Sequence, residues 1–386
     1  MVSSTERSVI TPAATVRVVV GWGAVLGLVF AGPLLEPPVP TPLLVTALAL
    51  IVGVVLVCAF GVVHEAEHLA HRLGDPYGSL VLTLSIVLIE VVLISAVMLG
   101  PGEHTTIARD SVMAVSMIIL NAVIGLSVLV GAIKHGNLGH NRTGTSSYLA
   151  LIVVLVSLAF ALPTLIGREG SFTPGQAIPI VVLTLALYAF FLYRQMGKQA
   201  DDFREVDQRF AADPATRGSG AAVQSRRNVT QVIAEHRTEI LLRITLLIVT
   251  VVPIVLLSHD MATLLDYGLD RVGAPVALSG ILIAMIVFLP ESITSVRAAL
   301  QGEIQRVSNL CHGALVSTVG LTIPAVLIIG ALTGQAVVLG ESPANLLFLG
   351  VTLMLSVTTL ASKKVTAMHG AAHLVVFAVY GIAVFS

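Results

Sequence analysis

Apolar residues along this chain neither alternate nor recur at a surface helix's spacing; they run on. Eleven stretches stand out, at Val16–Leu35, Pro42–Val63, Tyr77–Leu99, Ser111–Ile133, Ser146–Ile166, Gln176–Tyr193, Ile240–Ser258, Ala274–Ala299, Ser308–Leu332, Pro343–Leu360 and His369–Phe385. Each is close to the about 20 residues that a helix needs to cross a bilayer. Inside lipid a backbone must satisfy its own hydrogen bonds, which a helix does within one segment. Polar punctuation such as Pro37-Pro38, Gly74-Asp75-Pro76, Pro101-Gly102 and Gly167 separates the runs. The pattern predicts an all-α polytopic membrane protein with about eleven transmembrane helices.

Composition agrees. Hydrophobic residues make up 56% and charged residues 11% of 386 positions, against about 25% charged in soluble domains. A soluble protein of this size needs far more charge to cover its surface. The net charge of −1 and the lack of a basic stripe give no footprint for nucleic acid. Cys58 and Cys311 lie within apolar runs and read as small core residues, with no disulfide or metal spacing. Arg7 precedes the first run and Arg17 stands at its start, but no small-x-small cleavage site follows, so span 1 reads as a retained helix.

Charge also orients the chain. With the N-terminus cytoplasmic, eleven spans leave only Arg109, Arg168 and Arg271 of the 21 Lys and Arg on the outer side. That asymmetry is the positive-inside rule, and it puts the C-terminus outside. The one long hydrophilic stretch, Arg194–Glu239, has a Gly- and Ser-rich middle and reads as a cytoplasmic linker. A cation-sensing role for Asp201, Asp202, Glu205 and Asp207 is weakened by the interspersed Arg204 and Arg209. With span 1 set aside, five spans precede the linker and five follow it. An odd number per half forces opposite orientations, the inverted-repeat plan of many transporters. The expected division is residues 1–41 for the N-terminus and span 1, 42–195 for the first repeat, 196–239 for the linker and 240–386 for the second repeat.

Each half carries one deeply placed acid. Leu82-Thr-Leu-Ser-Ile-Val-Leu-Ile-Glu90 in span 3 parallels Leu282-Ile-Ala-Met-Ile-Val-Phe-Leu-Pro-Glu291 in span 8, and Glu90 precedes Asn121 by the same 31 residues that separate Glu291 from Thr322. An ionised carboxylate at that depth costs at least about 2.5 kcal/mol. It must therefore face a partner, a cavity or a bound cation, or else hold a proton. Two carboxylates at one site raise each other's hold on protons, and a divalent cation reverses that balance by drawing both into the charged form. Proton and cation then compete for the same oxygens, which is the physical basis of an exchanger. Calcium suits such hard oxygen ligands. Further oxygens are available from Thr83, Ser85, Asn121, Ser292, Thr294, Ser317, Thr318 and Thr322, of which Asn121 is the strongest candidate as a buried amide. For the hydroxyls, plain helix packing is an equal alternative. Pro290 is expected to break or kink span 8 at the site.

Here the sequence resembles a family. Gly74-Asp75-Pro76-Tyr77-Gly78-Ser79-Leu80, running into Thr83-Leu84-Ser85 and Ile89-Glu90-Val91, is similar to the first repeat of the bacterial calcium/proton antiporters of the calcium/cation antiporter superfamily. Leu289-Pro290-Glu291-Ser292, Asn309-Leu310 and Gly320-Leu321-Thr322-Ile323-Pro324 resemble the second repeat. The resemblance implies an eleven-helix fold, alternating access, Glu90 and Glu291 as the cation- and proton-binding pair, and a bacterial inner membrane. It implies no cofactor; the substrates are calcium or a monovalent cation, and protons. Relatives in plants and fungi carry Gly-Asn-x-x-Glu at each site. Here Ile86-Val87-Leu88-Ile89 and Val287-Phe288-Leu289-Pro290 precede the glutamates, so the side-chain amide is missing and the choice among calcium, sodium and potassium stays open.

One motif competes. His64-Glu65-Ala66-Glu67-His68 fits the H-E-x-x-H of zinc proteases, where two histidines one turn apart bind metal and the glutamate activates water. Its place at the polar end of span 2, with no third-ligand motif beyond the His369/His373 pair, favours instead a solvated helix end. A proton-sensing or cation-attracting vestibule of His64, Glu65, Glu67 and His68 is the functional alternative. Asn141-Arg142-Thr143 matches a glycosylation acceptor but falls on the cytoplasmic side of this topology. Asp260, Asp266 and Asp270 beside Arg271 read as a solvated outer loop.

Overall fold

The structure is a computed structural model that describes residues 11–73, 84–85, 87–91, 94–95, 98, 105–205, 236–274 and 277–385. The chain is all-α. Its helices are α1 (Pro12–Ala31), α2 (Thr41–Leu73), α3 (helical at 84–85, 87–91, 94–95 and 98), α4 (Ile107–His135), α5 (Arg142–Ile166), α6 (Pro174–Met196), α7 (Arg237–Arg271), α8 (Ala277–Gln301), α9 (Ile304–Thr333), α10 (Pro343–Ala361) and α11 (Ala367–Val384). Among the described residues nine helices are long and apolar enough to cross a membrane, and the bent α8 brings the number to ten. The remaining expected span, Tyr77–Leu99, lies largely outside the described residues.

Local chemistry sets the helix ends. Thr11 caps α1 by accepting from the amide of Ala14, Ser342 caps α10 by accepting from Asn345, and Pro12 and Pro343 occupy first-turn positions where no amide is missed. Thr173 with Gln176 and Thr366 with His369 form reciprocal capping boxes on α6 and α11. Gly334 ends α9 in the left-handed conformation, φ 72°. Within the helices, α4 widens into a π segment at Ile118–Val123 and α5 at Ser157–Ala161. The two halves of α8, Leu278–Ile286 and Phe288–Gln301, meet at 55°. That bend falls one turn before Pro290, where the ring clashes with the carbonyl four residues earlier, as the sequence predicts.

Large apolar side chains cover the outside: Phe30, Leu165, Leu183, Leu332, Met354 and Ile382 are all exposed. Such a surface needs lipid around it. α2 and α7 pack along one another with α1 laid across both, and α8 connects them to a second group in which α4 and α9 are the most enclosed. α4 and α11 approach until Gly125 and Gly370 touch; a Cβ on Gly370 falls 2.5 Å from the Leu129 amide nitrogen and 2.6 Å from the Gly125 carbonyl oxygen. A two-residue antiparallel ribbon, β1 (Leu138–Gly139) with β2 (Lys364–Val365), ties the α4–α5 connection to the α10–α11 connection.

The start of the linker is not a loose tether. Phe203 is buried between Tyr148 and Phe191, its carbonyl accepts from Asn309 at 2.6 Å, and Glu205 accepts from the Gln305 amide at 3.0 Å near the start of α9. Asp201 pairs with Arg204 at 2.7 Å. Of the four acids considered for cation sensing, Asp201 and Glu205 are thus committed to protein partners, and Asp207 lies outside the described residues. The rest of the linker, 206–235, also lies outside them.

Candidate functional site

Glu90 on α3 and Glu291 on α8 are both buried, 3% and 5% exposed, and close enough for their charges to interact. Glu90 Oε2 accepts from Thr318 Oγ1 of α9 at 2.5 Å. Among the described residues Glu90 Oε1 and both carboxylate oxygens of Glu291 have no hydrogen-bond partner. Three unsatisfied buried carboxylate oxygens are costly unless a ligand, water or proton meets them. Pro290 and Glu291 also line a small cavity of ≈ 10 Å³ with Val55, Ala59 and Val63 of α2, Ile89 of α3 and Ile254 of α7. Its walls are apolar, so the carboxylate is the polar feature there.

The other oxygens anticipated from the sequence divide. Thr318 contacts Glu90 directly, and Thr322, one turn further along α9, is fully buried with its Oγ1 unpartnered among the described residues. Ser292 and Thr294 donate back to Phe288 and Pro290 on their own helix, at 2.8 and 3.0 Å. Ser317 accepts from Tyr188 at 3.0 Å. Ser85 is half-buried, and Thr83 lies outside the described residues. Asn121, ranked first from the sequence, is engaged elsewhere. From the π segment of α4 it donates to Thr352 Oγ1 at 2.9 Å and meets His373 Nδ1 at 3.3 Å, joining α4 to α10 and α11. Its amide therefore fastens helices and does not touch either glutamate.

The vestibule candidates separate as well. Glu65 is buried, and its Oε2 receives Arg243 Nη1 of α7 at 2.6 Å; Arg243 Nε also binds Glu239 at 3.2 Å. Glu65 is thereby neutralised inside the α2–α7 contact, which removes it both as a free vestibule acid and as a water-activating base. His64 and His68 remain exposed with their rings edge to face at 4.6 Å, and Glu67 is half-buried. Among the described residues no three His, Cys, Asp or Glu side chains converge to hold a metal ion. His369 is occupied in capping α11, and His373 with Asn121 and Thr359.

Two residues at these sites are ones that sequence reasoning passed over. Arg243 reads from sequence as one more cytoplasmic charge; its place inside an apolar run was the available signal. Cys311 reads as plain core, yet its Sγ meets Ser295 Oγ at 3.5 Å, one turn beyond Glu291 on α8, and it lies within electrostatic range of that glutamate.

Two buried acids, one from each half of an all-α membrane chain and one of them on a bent helix, fit an ion-coupled secondary transporter. The chain belongs to the sodium/calcium exchanger protein family, whose model matches residues 43–197 and 242–386 on either side of the linker. It is 33% identical over 339 residues to the putative ionic transporter y4hA of Sinorhizobium fredii, covering 87% of this chain and 88% of that one. It is 30% identical over 382 residues to the sodium-potassium/proton antiporter ChaA of Escherichia coli, covering 99% and 96%. Its fold matches that of the H+/Ca2+ exchanger CAX with a TM-score of 0.64 at 14% identity, covering 96% of this chain and 89% of that one. The protein is thus an all-α, multi-pass membrane antiporter of the exchanger fold, and not a protease.

Proposed function

We propose that the protein exchanges calcium for protons by alternating access, with Glu90 and Glu291 binding the two substrates competitively. The reading is carried by one observation: two buried carboxylates within electrostatic range of each other hold three oxygens without a hydrogen-bond partner among the described residues. Protons satisfy those oxygens in one loaded state, and a divalent cation, charge-balanced by two carboxylates, satisfies them in the other. Thr318 supplies a neutral oxygen beside Glu90, and Thr322 a second within one turn. The two loads exclude each other because they need the same atoms, so coupling requires no separate device.

The bacterial inner membrane suits this exchange, with proton entry driving cation extrusion. The N-terminus and linker are placed in the cytoplasm and the C-terminus outside, supported by the Lys and Arg asymmetry. Residues 42–195 and 240–386 serve as the two repeats. A second reading, sodium or potassium exchanged for protons at the same pair, is favoured by the 30% identity to an antiporter of those ions over nearly the whole chain and by the missing amide beside each glutamate. Proton flux in everted vesicles, measured against calcium, sodium, potassium and manganese in turn, separates the two. Glu90→Gln and Glu291→Gln are expected to abolish flux with every cation while the protein stays inserted; cation-dependent flux in either variant overturns the assigned site.

A further inference from the structure

Away from the glutamates, the surface between α5 and α10 holds a groove of ≈ 890 Å³ with a graded lining. Arg142 and Ser146 stand at one end; Ala150, Val153, Val357 and Leu360 form the rest of its walls. Arg142, Ser146, Ala150, Val153 and Val357 are exposed, so the groove is open on the outside of the helix bundle. From Arg142 to Val153 is eleven helical steps, or about 16 Å. That is half of the about 30 Å hydrocarbon core, the depth of one leaflet.

The polar end is more basic than its lining alone. The ribbon pairs Gly139 with Lys364, which brings Lys363 and Lys364 to the end of the chain segment that begins α5 at Arg142. All three cations are exposed, and among the described residues none of them takes part in a salt bridge. A free cation cluster at the membrane surface, above an apolar slot one leaflet deep, matches the two ends of one kind of molecule. We propose that the α5–α10 groove binds an anionic phospholipid, its phosphate on Arg142 with Lys363 and Lys364, and an acyl chain along Ala150, Val153, Val357 and Leu360. Basic pockets between transmembrane helices recognise acidic headgroups in this way, each cation near the surface contributing about 1 kcal/mol.

The test uses the full-length protein purified in micelles containing equal amounts of phosphatidylglycerol and phosphatidylcholine, with retained lipid counted by native mass spectrometry. Preferential retention of phosphatidylglycerol is expected, reduced about fivefold by Arg142→Gln, the factor corresponding to one surface cation. Should that variant fail to fold, the exposed pair Lys363→Gln/Lys364→Gln carries the same test. Ala150→Trp, which fills the slot, is expected to lower retention of both lipids. Equal retention of the two lipids, or retention unchanged by the charge and slot variants, overturns the proposal. So does displacement of the bound lipid by millimolar inorganic phosphate, which indicates a site for the free anion.

Discussion

The contact between Glu65 and Arg243 gives the sharpest quantitative test of the architecture. The pair joins α2 to α7, with an N–O distance of 2.6 Å and side chains 6% and 9% exposed. Charge centres about 4 Å apart attract by about 4 kcal/mol at an effective dielectric of about 20. Desolvation opposes most of that gain, so the intact pair adds little relative to a well-packed apolar replacement. Removing one partner differs, because it strands the other charge; breaking a buried pair costs about 3–5 kcal/mol. Arg243 keeps its second bond, to Glu239 at 3.2 Å, which offsets part of the loss. Glu65→Leu should therefore destabilise by about 2–4 kcal/mol. The double variant Glu65→Leu/Arg243→Met, which removes both charges, should recover most of it. Denaturant unfolding of purified protein in detergent, run as a double-mutant cycle, measures the coupling. A loss under about 0.5 kcal/mol in the single variant, or a double variant no better than the sum of the singles, refutes the buried-pair assignment.

Further outcomes follow from the same geometry. Thr318→Val removes the donor to Glu90 Oε2 and should weaken apparent cation affinity about tenfold or more, the worth of a hydrogen bond to a charged group; Thr318→Ser should restore it, and equal activity in both variants contradicts the assigned contact. Gly370→Ala drives a Cβ against the backbone of Leu129 and Gly125 and should cost about 1–3 kcal/mol of stability in detergent melting. Gly381→Ala, with nothing within 4 Å, should be neutral or slightly stabilising. Glu341, in the α9–α10 connection, has its carboxyl pushed above the usual glutamate range by burial, against the lowering effects of Asn345 and Arg109. Its stabilising contribution is therefore full below the ordinary glutamate range and is lost as pH rises through the raised value. Glu341→Gln should flatten stability over that interval, and an unchanged pH profile removes the residue from the account.

How much of this could be read from the chain differs by level. Ten of the eleven expected spans appear among the described residues, the bent α8 included, because lipid demands about 20 apolar residues per crossing and internal hydrogen bonding whatever the neighbours are. Those demands are local, so sequence meets them visibly. Glu90 and Glu291 stood out for the same reason: a carboxylate within an apolar run carries its cost wherever the run packs. The bend in α8 was legible too, since a proline disturbs its own helix.

Partnership was not legible. Thr318 reaches Glu90 across 228 positions, and Arg243 reaches Glu65 across 178. Asn121 carries the chemistry of a ligand, yet its side chain is spent on Thr352 and His373, 231 and 252 positions away. Glu65 sits in a catalytic-looking motif, yet an arginine from another helix neutralises it. The chain by itself therefore determined how many helices cross the membrane and which acids need an explanation. Which side chain meets which was decided by how the helices pack, because a helix fixes the face on which a residue lies but not the neighbour that covers that face.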